Sequence, residues 1–89
     1  MFEKYIPIQF LGEFCEFAGI SELRESRYSG EAYRGFWKQS IVIFSPFREG
    51  WVEVDCSRDS LREEFAGILK QFHIILDEAM KDEIGRAHV

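Results

Sequence analysis

The sequence predicts a small α+β domain in which an antiparallel β-meander is packed against helices. Two observations predict this fold class. Residues 40–56 hold two short runs of β-branched and aromatic residues, separated by a turn with Pro46 and Gly50, as in a β-hairpin. From Leu61 onward, apolar residues recur at steps of three and four, which places one continuous apolar stripe on a helix.

The C-terminal segment is predicted to form a long amphipathic helix over about residues 60 to 84, packed on the sheet. Ser60 and Glu63 have the spacing of a capping box, and Gly85 is placed to follow the last helical residue. The apolar stripe consists of Leu61, Phe65, Ile68, Leu69, Phe72, Ile75, Leu76, Ala79 and Met80. Such a stripe indicates one buried face and one solvated face.

The hairpin supplies two strands of the meander, residues 40–45 and 51–56. In the second strand Val52 and Val54 alternate with acidic residues, so one face is expected to enter the core and the other to meet water. The first strand is apolar on both faces, which is typical of a central strand. Its second neighbour is therefore predicted to be the segment 31–38, which completes a three-stranded antiparallel meander.

The N-terminal third is predicted to contain an N-terminal helix followed by a short helix. Pro7 suits the first position of a helix, and Gly19 is placed to end it. The apolar face between them consists of Phe10, Leu11, Phe14, Phe17 and Ala18. Ser21 is placed to cap the short second helix, which reaches about residue 26.

Length and cysteine usage predict a single domain, residues 1–89, in the reducing cytoplasm. Apolar residues make up 46% of the chain, which allows a core that needs no disulfide. Cys15 and Cys56 have neither a CxxC partner nor a histidine at ligand spacing, so we expect no metal and no cofactor. Four charged side chains interrupt the first 20 residues, so neither a signal peptide nor a membrane span is predicted.

The distribution of charge argues against generic binding to nucleic acid or to anionic membranes. The net charge is −5, and residues 24–48 hold five cations and two acids, so this segment carries +3 and the remainder −8. Polyanions bind to local positive potential, which most of this chain lacks. Catalysis is not predicted either, because the chain has no glycine-rich phosphate loop and offers only Cys56 with His73 as a candidate dyad.

The leading hypothesis is a non-enzymatic protein-binding module, an inhibitor or regulator that occupies a surface of another protein. The first candidate contact lies in RYSGEAYRGFWK, residues 27–38, which mixes cations with aromatic residues. As a strand this stretch presents Tyr33 and Trp37 on one face with Arg34 beside them, and aromatic and Arg residues dominate protein interfaces. The alternative is that the aromatic rings pack in the core, which depends on which face of the sheet is open.

The second candidate contact is an acidic strip on the outer face of the long helix, formed by Glu63, Glu64, Asp77 and Glu78. Such a strip can mimic a phosphate backbone and fill the basic groove of a nucleic-acid-binding partner. The alternative is an ordinary solvated helix face.

Two further functions are alternatives. The stretch 27–38 could bind single-stranded nucleic acid directly, by stacking bases on its aromatic rings. Gly67 and Ile74 stand two turns apart on the outer face of the long helix and could form a homodimer contact. A glycine costs a helix roughly 1 kcal/mol, which favours a role in the close approach of a second helix.

Overall fold

The computed structural model describes residues 4–87, with side chains described for residues 4–79. Within this part of the chain, five antiparallel strands form one sheet, and two helices are packed on one of its faces. The architecture is α+β in two layers, as the sequence predicts, and the long C-terminal helix lies on the sheet.

The five strands are β1 Tyr5–Pro7, β2 Ser21–Glu25, β3 Tyr33–Trp37, β4 Ser40–Pro46 and β5 Trp51–Cys56. Their order across the sheet is β1-β5-β4-β3-β2, and every neighbouring pair is antiparallel. β4 is therefore central, with two strands on each side. The predicted hairpin, the third strand beside it and the central place of the apolar strand are confirmed.

The prediction of only three strands is wrong, because a short edge strand precedes the first helix. Pro7 ends β1 instead of starting a helix, and at a sheet edge a residue without an N–H breaks no ladder. A 3₁₀ turn, Ile8–Phe10, then leads into α1, Leu11–Ala18. As predicted, Gly19 ends the helix in the left-handed conformation, with φ 81°.

The predicted short helix after Ser21 is also wrong, because this segment forms β2 on the free edge of β3. Ser21 lies opposite Phe36, and Arg24 lies opposite Arg34. Between these two pairs the register shifts, and Glu22 has a positive φ of 54°, as in a β-bulge. A helix of about six residues cannot offset its nucleation cost, whereas the edge of β3 satisfies the backbone of β2.

The second helix, α2, spans Arg62–Ala87. A 3₁₀ turn, Asp59–Leu61, precedes it, and Ser60 lies inside this turn, so the predicted capping box is not formed. The helix continues past residue 84 and includes Gly85, so the predicted end is three residues too early. The predicted apolar stripe is confirmed for Phe65, Leu69, Phe72 and Leu76, which are buried, and for Leu61 and Ile68, which are partly buried. Its prediction is wrong for Ile75 and Ala79, which are exposed.

The core lies between the sheet and the helices and is centred on Phe14 of α1. The Phe14 ring centroid lies 6.5 Å from that of Phe44, 6.1 Å from that of Phe65 and 5.1 Å from that of Phe72, in edge-on contacts. The other buried apolar side chains are Ile6, Leu11, Cys15, Ile20, Trp37, Val42, Val52, Val54, Cys56, Leu69 and Leu76. Both helices therefore cover the same face of the sheet.

Candidate functional site

Trp37 and Tyr33 lie on the helix-covered face of β3, so they form no exposed stacking platform. Trp37 is 4% exposed, and its ring lies edge-on to Phe65 with the centroids 5.1 Å apart. Tyr33 is partly buried and packs against the same core. Because these two residues alternate with Arg34 and Phe36, the latter pair occupies the opposite face.

Arg34 is held by the loop that joins β2 to β3. Its Nε donates to Glu31 Oε1 at 2.6 Å and its Nη2 donates to Glu31 Oε2 at 3.1 Å. The guanidinium carbon lies 4.0 Å from the centroid of the Tyr28 ring, which is the geometry of a cation–π contact. The Ser26 hydroxyl also donates to Glu31, at 2.8 Å. Arg34 thus fixes the loop and still carries further N–H donors on the sheet surface.

The cations of the 27–38 stretch do not form a positive surface. Arg34 is paired with Glu31, and Lys38 forms an ion pair with Glu64 of α2. Of the three cations, Arg27 alone has no ion pair within the described part of the chain. With two cations paired and Trp37 buried, the geometry gives no support to the prediction of direct nucleic-acid binding.

The face of the sheet opposite the helices carries a belt of exposed and half-buried apolar side chains. Phe36 is 48% exposed, and its cross-strand neighbour Ile41 is half-buried beside it. Ile43 continues the belt along β4, and Trp51 on β5 is 39% exposed. We call this surface the open face and define it by Tyr5, Arg34, Phe36, Ile41, Ile43, Trp51, Glu53 and Asp55.

Charge changes sign across the open face. Arg34, Ile43 and Asp55 are directly paired in one row across β3, β4 and β5, and Arg24 extends this row on β2. The row therefore runs from two cations through an apolar centre to a carboxylate. Glu53 lies next to Asp55 on the same face of β5, where Lys4 Nζ contacts its carboxylate at 3.1 Å.

Burial raises the pKa of Asp55 above its ordinary value, and the neighbouring carboxylate of Glu53 raises it further. Asp55 has no ion pair of its own within the described residues. It is an acid that the isolated chain leaves without a cation at contact distance.

The acidic strip of α2 lies on the opposite side of the molecule from the open face. Glu63, Glu64, Asp77 and Glu78 are all exposed, as expected, and Glu64 is the one that pairs with Lys38. Gly67 and Ile74 also lie on this outer side, and Ile74 is 44% exposed. A Cβ added at Gly67 would meet no atom of the described chain within 4 Å, so no close approach inside the fold explains this glycine.

The candidate dyad of Cys56 and His73 is not brought together, because the two residues line separate cavities. His73 borders a half-open cavity of about 350 Å³ between β1, β5 and α2, and its Nε2 is buried without a hydrogen-bond partner within the described residues. Cys56 borders a cavity of about 170 Å³ beside Arg62, with its Sγ 3.4 Å from the Ser40 hydroxyl.

Phe36, Ile41, Trp51 and Asp55 were not among the predicted contact residues, although the alternation of side chains along the strands contained the signal. Placing Trp37 in the core requires Phe36 to face away from it. The sequence shows that β4 is apolar on both faces. Which of the two faces the helices cover depends on tertiary packing.

Within residues 4–87, no helix has the continuous apolar length that crossing a bilayer requires. The described residues contain no cluster of three or more His, Cys, Asp or Glu side chains that could hold a metal ion. Comparisons of the chain with protein-family models, with curated proteins and with solved structures find no significant match.

Proposed function

We propose that the protein is a non-enzymatic protein-binding module of the cytoplasm, and that its contact surface is the open face. One observation supports this above all: Phe36 is exposed beside Ile41 and Ile43 on the side of the sheet that no described helix covers, and Trp51 is exposed at the other end of β5. Exposed apolar side chains grouped on one face mark interaction sites in soluble domains.

The composition of the open face fits a protein partner better than a polyanion. Aromatic side chains and arginine are the residue types that contribute most to protein interfaces, and Phe36, Trp51 and Arg34 supply them here. The face carries both signs of charge, so it gives no continuous positive track for a phosphate backbone. We propose that the module inhibits or regulates its partner by covering part of the partner's surface.

A cytoplasmic location is supported by the thiols. Cys15 and Cys56 are both free and buried, which fits a reducing compartment. Burial also raises the pKa of the Cys15 thiol to about 11, so this side chain stays protonated and unreactive at neutral pH.

The test is affinity capture from a nuclease-treated host lysate, quantified by mass spectrometry, with the wild type and two variants as bait. Phe36→Thr removes the exposed ring and keeps a residue that favours strands. Ile74→Ala is the matched control, because Ile74 is exposed to a similar degree but lies on α2. Circular dichroism and urea unfolding establish that both variants fold.

We expect wild type and Ile74→Ala to retain the same stoichiometric protein and Phe36→Thr to lose it. Equal capture by the wild type and Phe36→Thr would contradict the proposal. Loss of capture with Ile74→Ala alone would move the contact to the outer face of α2.

A further inference from the structure

We infer that the open face binds a second copy of this chain, face to face, about a two-fold axis that runs along β4. This inference rests on the proposed use of the open face as the contact surface, and it adds a second copy of the chain as a ligand of that face. β4 is the central strand, so rotation about it superimposes β3 of one copy on β5 of the other, and β2 on β1.

The register of the strands makes the open face complementary to itself under this rotation. Arg34, Ile43 and Asp55 share one row, so Arg34 of each copy lies against Asp55 of the other, and Ile43 lies against its own equivalent. Ile41 likewise meets Ile41 of the second copy. The two apolar belts are buried in the middle. One pair of Arg34 with Asp55 lies on each side of them.

The charges of the open face are only partly balanced within one copy. On the β2 and β3 side, Glu31 pairs with Arg34 and Glu22 lies 3.8 Å from Arg24, so these four groups have no net charge. On the β5 side, Glu53 and Asp55 outweigh Lys4 by one negative charge. The rotation brings Arg34 of each copy to Asp55 of the other, and Asp55 has no ion pair within the described residues, so it gains a cation at contact distance.

Other ways of pairing two copies are less favourable. The edges of the sheet are blunted, since β1 has three residues and β2 carries charges and the Glu22 bulge. A contact through the outer face of α2 would bring Glu63 and Glu78 of both copies together around Gly67 and Ile74. The open face instead directs the acidic strips of two chains, each of net charge −5, away from each other.

The area of the open face sets the expected affinity of the dimer. Five strands at about 4.8 Å spacing and about 3.3 Å per residue give a surface of roughly 20 Å by 20 Å, and the two faces together bury on the order of 1,000 Å². This is at the small end of specific interfaces, so we expect a dimer with a dissociation constant in the micromolar range. Aligned packing of two sheets at about 30° is a common arrangement.

Sedimentation velocity from about 1 μM to 1 mM protein tests the inference directly. We expect a monomer–dimer equilibrium for the wild type and for Ile74→Ala, and at least a tenfold rise in the dissociation constant for Phe36→Thr and for Asp55→Lys. Asp55→Lys breaks no ion pair within the described chain, and urea unfolding of the dilute variant establishes that it folds.

A mixing experiment tests the two-fold geometry. Arg34→Glu alone places two carboxylates against each other, and Asp55→Lys alone places two cations against each other, so each variant is expected to dimerise at least about tenfold more weakly than the wild type. A heterodimer of the two variants joins the introduced carboxylate to the introduced ammonium group and keeps one native pair of Arg34 with Asp55, so the mixture is expected to dimerise. If loss of the Glu31 bonds prevents Arg34→Glu from folding, Asp55→Lys and Phe36→Thr carry the test.

The possible failures are distinguishable. A wild-type protein that is monomeric at about 1 mM overturns the inference, and the proposed function survives if lysate capture still depends on Phe36. A dimer that Ile74→Ala disrupts and Phe36→Thr leaves intact also overturns it. A mixture of folded variants that stays monomeric overturns the two-fold arrangement.

Discussion

At the scale of single residues, Gly35 is the position where the sheet tolerates no side chain. A Cβ at this buried strand position would lie 2.5 Å from Ile20 Cγ2 and 3.3 Å from the carbonyl oxygen of Ser21. The Ser21 backbone belongs to β2 and cannot move without disturbing the ladder. Gly35 therefore allows the edge strand to approach β3.

We expect Gly35→Ala to lower the free energy of unfolding by about 1–3 kcal/mol, as overpacking does elsewhere. Gly67→Ala is the control, because its Cβ meets no atom within 4 Å and alanine favours a helix, so this variant should gain up to about 1 kcal/mol. Urea unfolding monitored by tryptophan fluorescence measures both. A neutral Gly35→Ala would contradict the packing of β2 on β3.

Asp55 is expected to lower the stability of the isolated chain at neutral pH. Burial, followed by the charge of Glu53, raises its pKa, while Lys4 and Arg62 act against the shift. A carboxyl with a raised pKa binds more protons when folded, so its stabilising contribution is present below the unfolded pKa and is lost as pH rises through the folded pKa.

Asp55→Asn should therefore raise the urea midpoint of the dilute protein at pH 7, and the difference from the wild type should vanish near about pH 3, where Asp55 is protonated in both states. The same variant should weaken self-association, because the cross-copy partner of Arg34 loses its charge. A lower midpoint at pH 7 would mean that Asp55 makes a favourable contact within one chain.

At the scale of elements, the loop between β2 and β3 is organised by one carboxylate. The hydrogen bond from Arg34 holds the pKa of Glu31 below its ordinary value, with burial opposing and Ser26 adding a second donor. Since the folded pKa is the lower one, the stabilising contribution of Glu31 is present above its unfolded pKa and is lost as pH falls through the folded pKa.

We expect the loop to loosen below about pH 4 while the sheet persists. The protection factors of the Tyr28 and Ala32 amides, which are NMR exchange rates corrected for the intrinsic pH dependence, should fall there in the wild type. Glu31→Gln should show the low protection factors already at pH 7. Protection factors that do not change with pH in the wild type would show that the turn itself, and not Glu31, holds the loop.

The elements differed in how far their local sequence determined them. The α2 stripe and the β4–β5 hairpin follow from periodicity, because many side chains repeat one pattern. β2 could not be predicted, since SELRE has no alternation of apolar and polar residues and becomes a strand only because β3 offers a free edge. Likewise, the burial of Trp37 depends on Phe65, which is 28 positions away in sequence. Arg34 is the one residue of the predicted aromatic contact that the proposed surface retains.

At the scale of the whole molecule, charge and apolar surface are segregated. The acidic strip lies on the outer face of α2, and the apolar belt lies on the opposite side of the sheet. This separation lets two negatively charged chains meet without bringing their densest negative charge together. The proposed self-association would require the folded chain, because unfolding destroys the register that aligns Arg34 with Asp55.

Thermal unfolding of the wild type should therefore depend on protein concentration. Association of the folded state stabilises it by mass action, and above the dissociation constant each tenfold rise in concentration is worth about 0.7 kcal/mol per chain. For a domain of this size we expect Tm to rise by about 3–5 °C per tenfold step in protein concentration.

Calorimetry from about 10 μM to 1 mM should show this rise in the wild type and in Ile74→Ala. Phe36→Thr should show the rise only at concentrations at least about tenfold higher than the wild type, because its dissociation constant is larger by that factor. A constant Tm in the wild type would exclude a dimer of the expected strength, and an equal rise in Phe36→Thr would place the contact away from the open face.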